Sequence, residues 1–203
     1  MKWIITWHWT AGAYGVNALE ADAYHFIIGP DGRVTNGVDR PEDNIPPLKP
    51  GAYAASTLNL NSYNISIALD AMGGATERPF NAGKHPITQK QVDALVDLTA
   101  KLSLKYNVPV ERRRILSHAE VQPTLGIKQR NKWDIMWLPG MTSTKDPVAI
   151  GDELREKVKI AITKIKGVEQ RDRATAKSVS VIPQSNKGIN IFLGWLKQFF
   201  KRP

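Results

Sequence analysis

The sequence contains no cysteine. That excludes disulfides, a thiol nucleophile, an iron–sulfur cluster and any thiolate metal site. A metal, if held, must be held by His, Asp or Glu. Only four histidines are present, at positions 8, 25, 85 and 118, so the set of possible imidazole ligands is small. Long apolar runs are also missing, and nothing approaches the roughly 20 residues of a spanning helix. The opening Met1-Lys2-Trp3-Ile4-Ile5-Thr6-Trp7-His8 is interrupted by Thr6 and His8. It therefore reads as a first strand rather than a secretory signal, in a protein made in the cytoplasm without a signal peptide. Acidic residues are the scarcer charge, 19 against 28 basic, for a net charge of +9. That balance favours anionic partners. Nucleic acid is set aside, because no basic helix with interleaved base-reading residues and no named nucleic-acid motif occurs.

With 42% hydrophobic and 23% charged residues over 203 positions, the chain has the composition to bury a core. Trp3 to Trp9 is aromatic and β-branched, as a buried strand requires. Val16 to Asp22 suits a short helix, and Tyr24 to Ile28 a second strand. The latter ends in the turn Gly29-Pro30-Asp31-Gly32, with Arg33 to Asn36 returning. Four prolines between 41 and 50 predict an extended loop. Ile65 to Asp70 is a further buried strand. Thr88-Gln89-Lys90-Gln91 has the form of a capping box and opens a helix to Tyr106. Arg112 to His118 holds a short apolar segment leading into a loop, and Val148 to Ile165 is a second amphipathic helix. The mixture places the chain in the α/β class.

After Gly167 the composition changes. The sequence divides into a domain over 1–166, a flexible linker over 167–187 and a cationic amphipathic helix over 188–203. Of the net +9, +5 lies in residues 167–203. On a helical wheel Ile189, Phe192, Leu193, Trp195, Leu196, Phe199 and Phe200 fall within an arc of roughly 160°. Lys197 and Lys201 lie opposite. Such a helix suits an anionic membrane surface; the alternative is a terminal helix docked on the core.

Three residues carry the candidate chemistry. His8 ends the first strand, His118 lies in Ser117-His118-Ala119-Glu120-Val121, and Asp134 follows Lys132-Trp133. Two imidazoles and a carboxylate can hold zinc and leave a fourth position open. Their spacing alone does not identify a site, and singly each suits a structural role. His25 reads as structural and His85 as an exposed loop residue. Glu120 reads as a solvated loop residue, otherwise a partner of His118 or a general base. Asp70 and Glu120 are fallback carboxylates.

Taken in order, His8-Trp9-Thr10, Tyr24-His25-Phe26-Ile27-Ile28, Asn64-Ile65-Ser66-Ile67-Ala68-Leu69, Ser117-His118-Ala119-Glu120-Val121 and Lys132-Trp133-Asp134 form a set. Over about residues 1–143 it resembles the zinc-dependent N-acetylmuramoyl-L-alanine amidases. These share a fold with peptidoglycan recognition proteins and amidase-type phage lysozymes. The resemblance implies a central mixed β-sheet flanked by helices. It implies Zn2+ on His8, His118 and Asp134, the last in the place where other members carry Cys or Asp. It also implies that Lys132 stabilises the transition state and that Tyr24 fills the second catalytic role, with Ala68 where other members have Glu. The expected activity is hydrolysis of the amide between N-acetylmuramic acid and L-alanine in peptidoglycan by a monomeric, endolysin-like enzyme acting in the cell wall after release. A second reading is a peptidoglycan-binding module of the same fold that does not cut. Two positions depart from the pattern: Ser117 stands where Gly is usual, and Ile135-Met136 follow Asp134 where Pro-Gly is usual.

Overall fold

The structure is a computed structural model that describes residues 2–180, with side chains described through residue 173. The chain divides into two units, Met1–Ile165 and Lys166–Pro203. In the first, β1 (Ile4–Trp9), β2 (Phe26–Ile28), β3 (Val34–Asn36), β4 (Asn64–Leu69) and β5 (Ile115–Ser117) form one sheet in the order β3-β2-β4-β1-β5. β3 is antiparallel to β2, while the pairs β2·β4, β4·β1 and β1·β5 are parallel. This is the mixed α/β sheet that the resemblance implied. The helices are α1 (Ala18–Ala23), α2 (Gln89–Tyr106), α3 (His118–Leu125) and α4 (Pro147–Ser180).

The two central strands serve both faces of the sheet. Successive side chains of a strand point to opposite sides. Ile5, Trp7 and Trp9 pair with Ile65, Ile67 and Leu69 in register. All six join the hydrophobic core with Val92, Leu95 and Ala100 of α2 and Ile150, Leu154 and Val158 of α4. The Trp7 indole N–H donates to Thr99 Oγ1 of α2 at 3.0 Å, satisfying a polar group inside this layer. The alternate residues Thr6, His8, Ser66 and Ala68 are fully buried on the other side. One face of the sheet therefore packs on helices, and the other carries polar side chains.

The capping box of α2 is formed: the Thr88 N–H donates to Gln91 Oε1 at 2.9 Å and the Gln91 N–H to Thr88 Oγ1 at 3.2 Å. The helix closes on Asn107 in the left-handed region, φ 53°. Several expectations differ from the structure, among them the loop from 41 to 50, which begins as a 3-10 helix over Pro41–Asn44. Tyr24 and His25 precede β2 rather than lying in it, and Tyr24 caps the end of α1. His118 opens a helix, α3, rather than lying in a loop. The missed signal is Ser117-x-x-Glu120, a capping spacing; the Glu120 carboxylate accepts the Ser117 N–H at 2.8 Å. Glu120 is consequently fully buried, not solvated. Finally, α4 continues to Ser180, so residues 167–180 are helical instead of an irregular linker. Glu, Gln, Arg, Ala and Lys over this stretch are good helix formers even without an apolar stripe. The expected linker residues 181–187 and helix 188–203 lie outside the described residues. Among the described residues no helix is long and apolar enough to cross a membrane.

α3 is fixed to α4 by a buried ion pair. Arg155 donates to Glu120 Oε1 and to the Ile115 carbonyl, both at 2.8 Å. Its Nη2 also reaches Asp152 Oδ1 at 2.8 Å. Gly151 makes this approach possible, because a β-carbon there would overlap the Glu120 carboxylate. Breaking a buried pair from one side leaves an uncompensated charge. Arg155→Met should therefore cost about 3–5 kcal/mol in urea unfolding, and Gly151→Ala about 1–3 kcal/mol by overpacking. A loss under 1 kcal/mol for Arg155→Met would mean that the pair does not anchor α3.

Candidate metal centre

The sheet's polar face brings three of the candidate residues together. His8 comes from β1 beside Ala68 of β4, His118 from the first turn of α3, and Asp134 from the segment that follows. All three are buried. Asp134 Oδ2 lies 3.5 Å from His8 Nδ1 and 3.5 Å from His118 Nδ1. One ligand atom from each residue lies within 4.8 Å of the others, and the imidazole centroids are 4.7 Å apart. Donors about 2.1 Å from a tetrahedral ion are about 3.4 Å from one another, which suits these spacings.

The outer ring nitrogens are already engaged. His8 Nε2 lies 3.0 Å from Thr6 Oγ1 and 3.3 Å from Thr57 Oγ1. The Thr6 hydroxyl proton goes to Asn64 Oδ1 at 3.0 Å. The Thr6 oxygen is thus left to accept from His8 Nε2–H, which makes Nδ1 the bare nitrogen. His8 Nδ1 is buried without a hydrogen-bond partner. Such an orphan is costly in a folded protein unless something else binds it. His118 Nε2 is engaged by Gln129 Oε1 at 3.0 Å. Sequence reasoning missed Thr6, Thr57 and Gln129. Strand alternation could have suggested Thr6, two residues before His8; nothing local marks the other two.

Burial lowers the His8 pKa from its ordinary 6.5 to about 4, so the ring is neutral at pH 7. Burial acts to raise the Asp134 pKa, but the two imidazoles facing it outweigh that and hold the carboxyl well below the usual carboxylate range. His8 therefore offers a neutral nitrogen and Asp134 a carboxylate, the states that metal binding requires. Oxygen and imidazole donors in this number suit zinc.

Tyr24 stands beside the cluster, its ring centroid 5.2 Å from that of His8. Burial, with the Asp134 and Glu20 charges, pushes its hydroxyl above the ordinary value, so it stays protonated. Lys132 is exposed and lines a groove of about 370 Å3 with His118, Thr57, Gln129 and Arg130. Neither fallback carboxylate joins the cluster. Asp70 accepts the Gly15 N–H at 2.7 Å, and Glu120 is committed to Arg155. His25 is held between Ser66 (Nδ1–Oγ 2.9 Å) and Asn44 (Nε2–Oδ1 2.9 Å) as a structural residue. His85, expected in the open, is half-buried and sits edge-on to Tyr14 with centroids 5.0 Å apart.

The family model for N-acetylmuramoyl-L-alanine amidase, Amidase_2, matches residues 3–141. The chain belongs to this family. It is therefore a peptidoglycan amidase, and the reading as a module that binds without cutting gives way. A comparison with curated proteins found no match. Among solved structures, the amidase LysC of Clostridium intestinale URNW is 20% identical over 77% of this chain and 84% of its own, with a TM-score of 0.45. The Ph2119 endolysin from a Thermus scotoductus MAT2119 bacteriophage is 17% identical over 75% of this chain and 83% of its own, TM-score 0.40. Staphylococcus aureus AmiA is 11% identical over 82% of this chain and 75% of its own, TM-score 0.51, a likeness of fold.

The site's electrostatics predict a pH dependence of stability. His25 is also lowered by burial to about 4. Unfolded histidines titrate near 6.5, so below that pH the unfolded chain binds protons that the fold does not. Stability is complete above the unfolded value and is lost as pH falls toward 4. In metal-free protein, urea unfolding should show a loss of about 2 kcal/mol per buried histidine between pH 7 and pH 5. His25→Gln should shrink that loss; a flat profile in this window would contradict both shifts.

Proposed function

We propose that this amidase is zinc-dependent, with His8, His118 and Asp134 as the ligands. The observation that carries the reading is the buried, unpartnered His8 Nδ1 facing the same carboxylate oxygen as His118 Nδ1. Zinc in this set would supply Lewis acidity to an amide carbonyl and acidify water toward a pKa of about 7. The chain's own residues do the rest. The substrate is the bond between the lactyl carbonyl of N-acetylmuramic acid and the L-alanine nitrogen. The Lys132 ammonium, at the rim of the groove, offsets the negative charge that grows on the carbonyl oxygen as the tetrahedral centre forms. The Tyr24 hydroxyl, protonated at neutral pH, orients the attacking water and relays a proton to the departing amine. Ala68, the neighbour of His8 in register, offers no carboxylate there, which supports giving the proton-handling role to Tyr24. Chelation should abolish release of stem peptides beginning with L-alanine from peptidoglycan, read by mass spectrometry, and zinc should restore it. His8→Ala and His118→Ala should each lower the rate by more than about 100-fold. Unchanged rates would sink the reading, and new reducing sugars would mean a glycosidase.

We further propose that residues 1–166 form the catalytic domain and that residues 188–203 act on anionic membrane, as in an endolysin that reaches the wall after release. The aromatic arc and opposed lysines of that segment support this. A protein lacking residues 187–203 should hydrolyse purified peptidoglycan at the parent rate but bind anionic vesicles more weakly. Equal vesicle binding would remove the membrane role.

A further inference from the structure

We propose that Gln129 is a positioning residue that fixes the tautomer of His118 and so keeps Nδ1 open toward Asp134. The inference rests on the proposed ligand role of His118. An amide oxygen only accepts and an amide nitrogen only donates. The Gln129 Nε2 lies 3.0 Å from the Leu58 carbonyl and 3.4 Å from the Ile127 carbonyl. Two acceptors on that side force the amide's orientation, so Oε1 is the atom facing His118 Nε2 at 3.0 Å. His118 Nε2 must then carry the proton, and a neutral imidazole has only one.

Without that acceptor the proton has a better place to go. Asp134 Oδ2 lies 3.5 Å from His118 Nδ1, and a carboxylate is a stronger acceptor than an empty groove. An Nδ1–H tautomer would point a proton at Asp134 and occupy the very nitrogen that a metal needs. Gln129 opposes this from the far side of the ring. It is itself pinned, since its backbone N–H donates to Gln122 Oε1 at 2.9 Å, and Gln122 lies on α3 with His118. His8 has an independent guard in Thr6, already committed to Asn64. A change at Gln129 should thus alter one imidazole and spare the other.

The test compares full-length wild type with Gln129→Met, which removes the acceptor at similar size, and Gln129→Glu, which keeps it but loses the donors to Leu58 and Ile127. Two readouts are taken. Long-range 1H–15N correlation spectra of metal-free protein report each histidine's tautomer. Competition against a chromophoric chelator reports zinc affinity. The expected result is Nε2–H at His118 in wild type and Gln129→Glu, with equal or tighter zinc binding in the latter. In Gln129→Met the proton moves to Nδ1 of His118 while His8 keeps its signal, and zinc binds about 10–100-fold more weakly. A folded Gln129→Met with wild-type tautomer and affinity overturns the proposal. So does a Gln129→Glu weakened like Gln129→Met, which would make Gln129 a loop pin; this comparison with wild type still decides if Gln129→Met does not fold. Zinc binding by wild type that His8→Ala leaves intact would instead defeat the ligand assignment itself.

Discussion

The structure depends on one constraint, the period-two alternation of two parallel strands that are buried on both sides. β1 and β4 must each place an apolar residue toward the helices at every odd position, and Ile5, Trp7, Trp9, Ile65, Ile67 and Leu69 do so. Every even position is then committed to the other face, where burial without a hydrogen-bond partner is expensive. Thr6, His8, Asn64 and Ser66 answer this by bonding to one another, to His25 and to Thr57. The polar layer is thus both the roof of the core and the floor of the candidate metal centre. A one-residue slip of β1 would bury Trp7 in the polar layer and turn His8 toward α2.

The second requirement is that His118 arrive from a different element at a fixed height. β5 is only three residues long and pairs through Ile115, Leu116 and Ser117. Such a short edge strand would locate its successor poorly alone. The Arg155 guanidinium supplies the missing rigidity, because it binds the last turn of chain from both ends: the Ile115 carbonyl before His118 and the Glu120 carboxylate after it. Glu120 in turn holds the Ser117 N–H. Burial raises the Glu120 pKa and the Arg155 contact opposes it, which is the balance expected of a pair kept for geometry rather than for net stability. The role of α4 toward the centre is therefore indirect: its Arg155 fixes the start of α3.

Much of this was legible in the sequence. Apolar periodicity located α2 to within one residue, since Thr88 and Gln91 cap it in the expected manner. Residue type marked His8, His118 and Asp134 and the resemblance added Tyr24 and Lys132; the geometry brings the first four together with Lys132 on the adjoining groove. Family resemblance, not spacing, made that selection possible, because His8 lies more than a hundred residues before His118 and Asp134. What stayed hidden has physical reasons. α3 is eight residues long and contains Pro123, so it lacks a sustained apolar period. Gln129 and Thr57 act through loops whose approach to the imidazoles is set by tertiary packing. α4 outruns its apolar stripe because propensity alone can extend a helix that packing has nucleated.

The absence of cysteine also acquires an electrostatic meaning. In the proposed centre Asp134 brings one negative charge to the donor set. A thiolate in the same place would carry the same charge. Exchanging one for the other would leave the charge offered to a divalent ion unchanged. In the proposed centre Asp134 would thus stand in for a thiolate without a change of charge. Ile135 helps hold it there: this buried β-branched residue takes φ 65°, a conformation that persists only where packing compels it. The core therefore sets the backbone that presents the carboxylate, even though the chain departs here from the family's usual Pro-Gly.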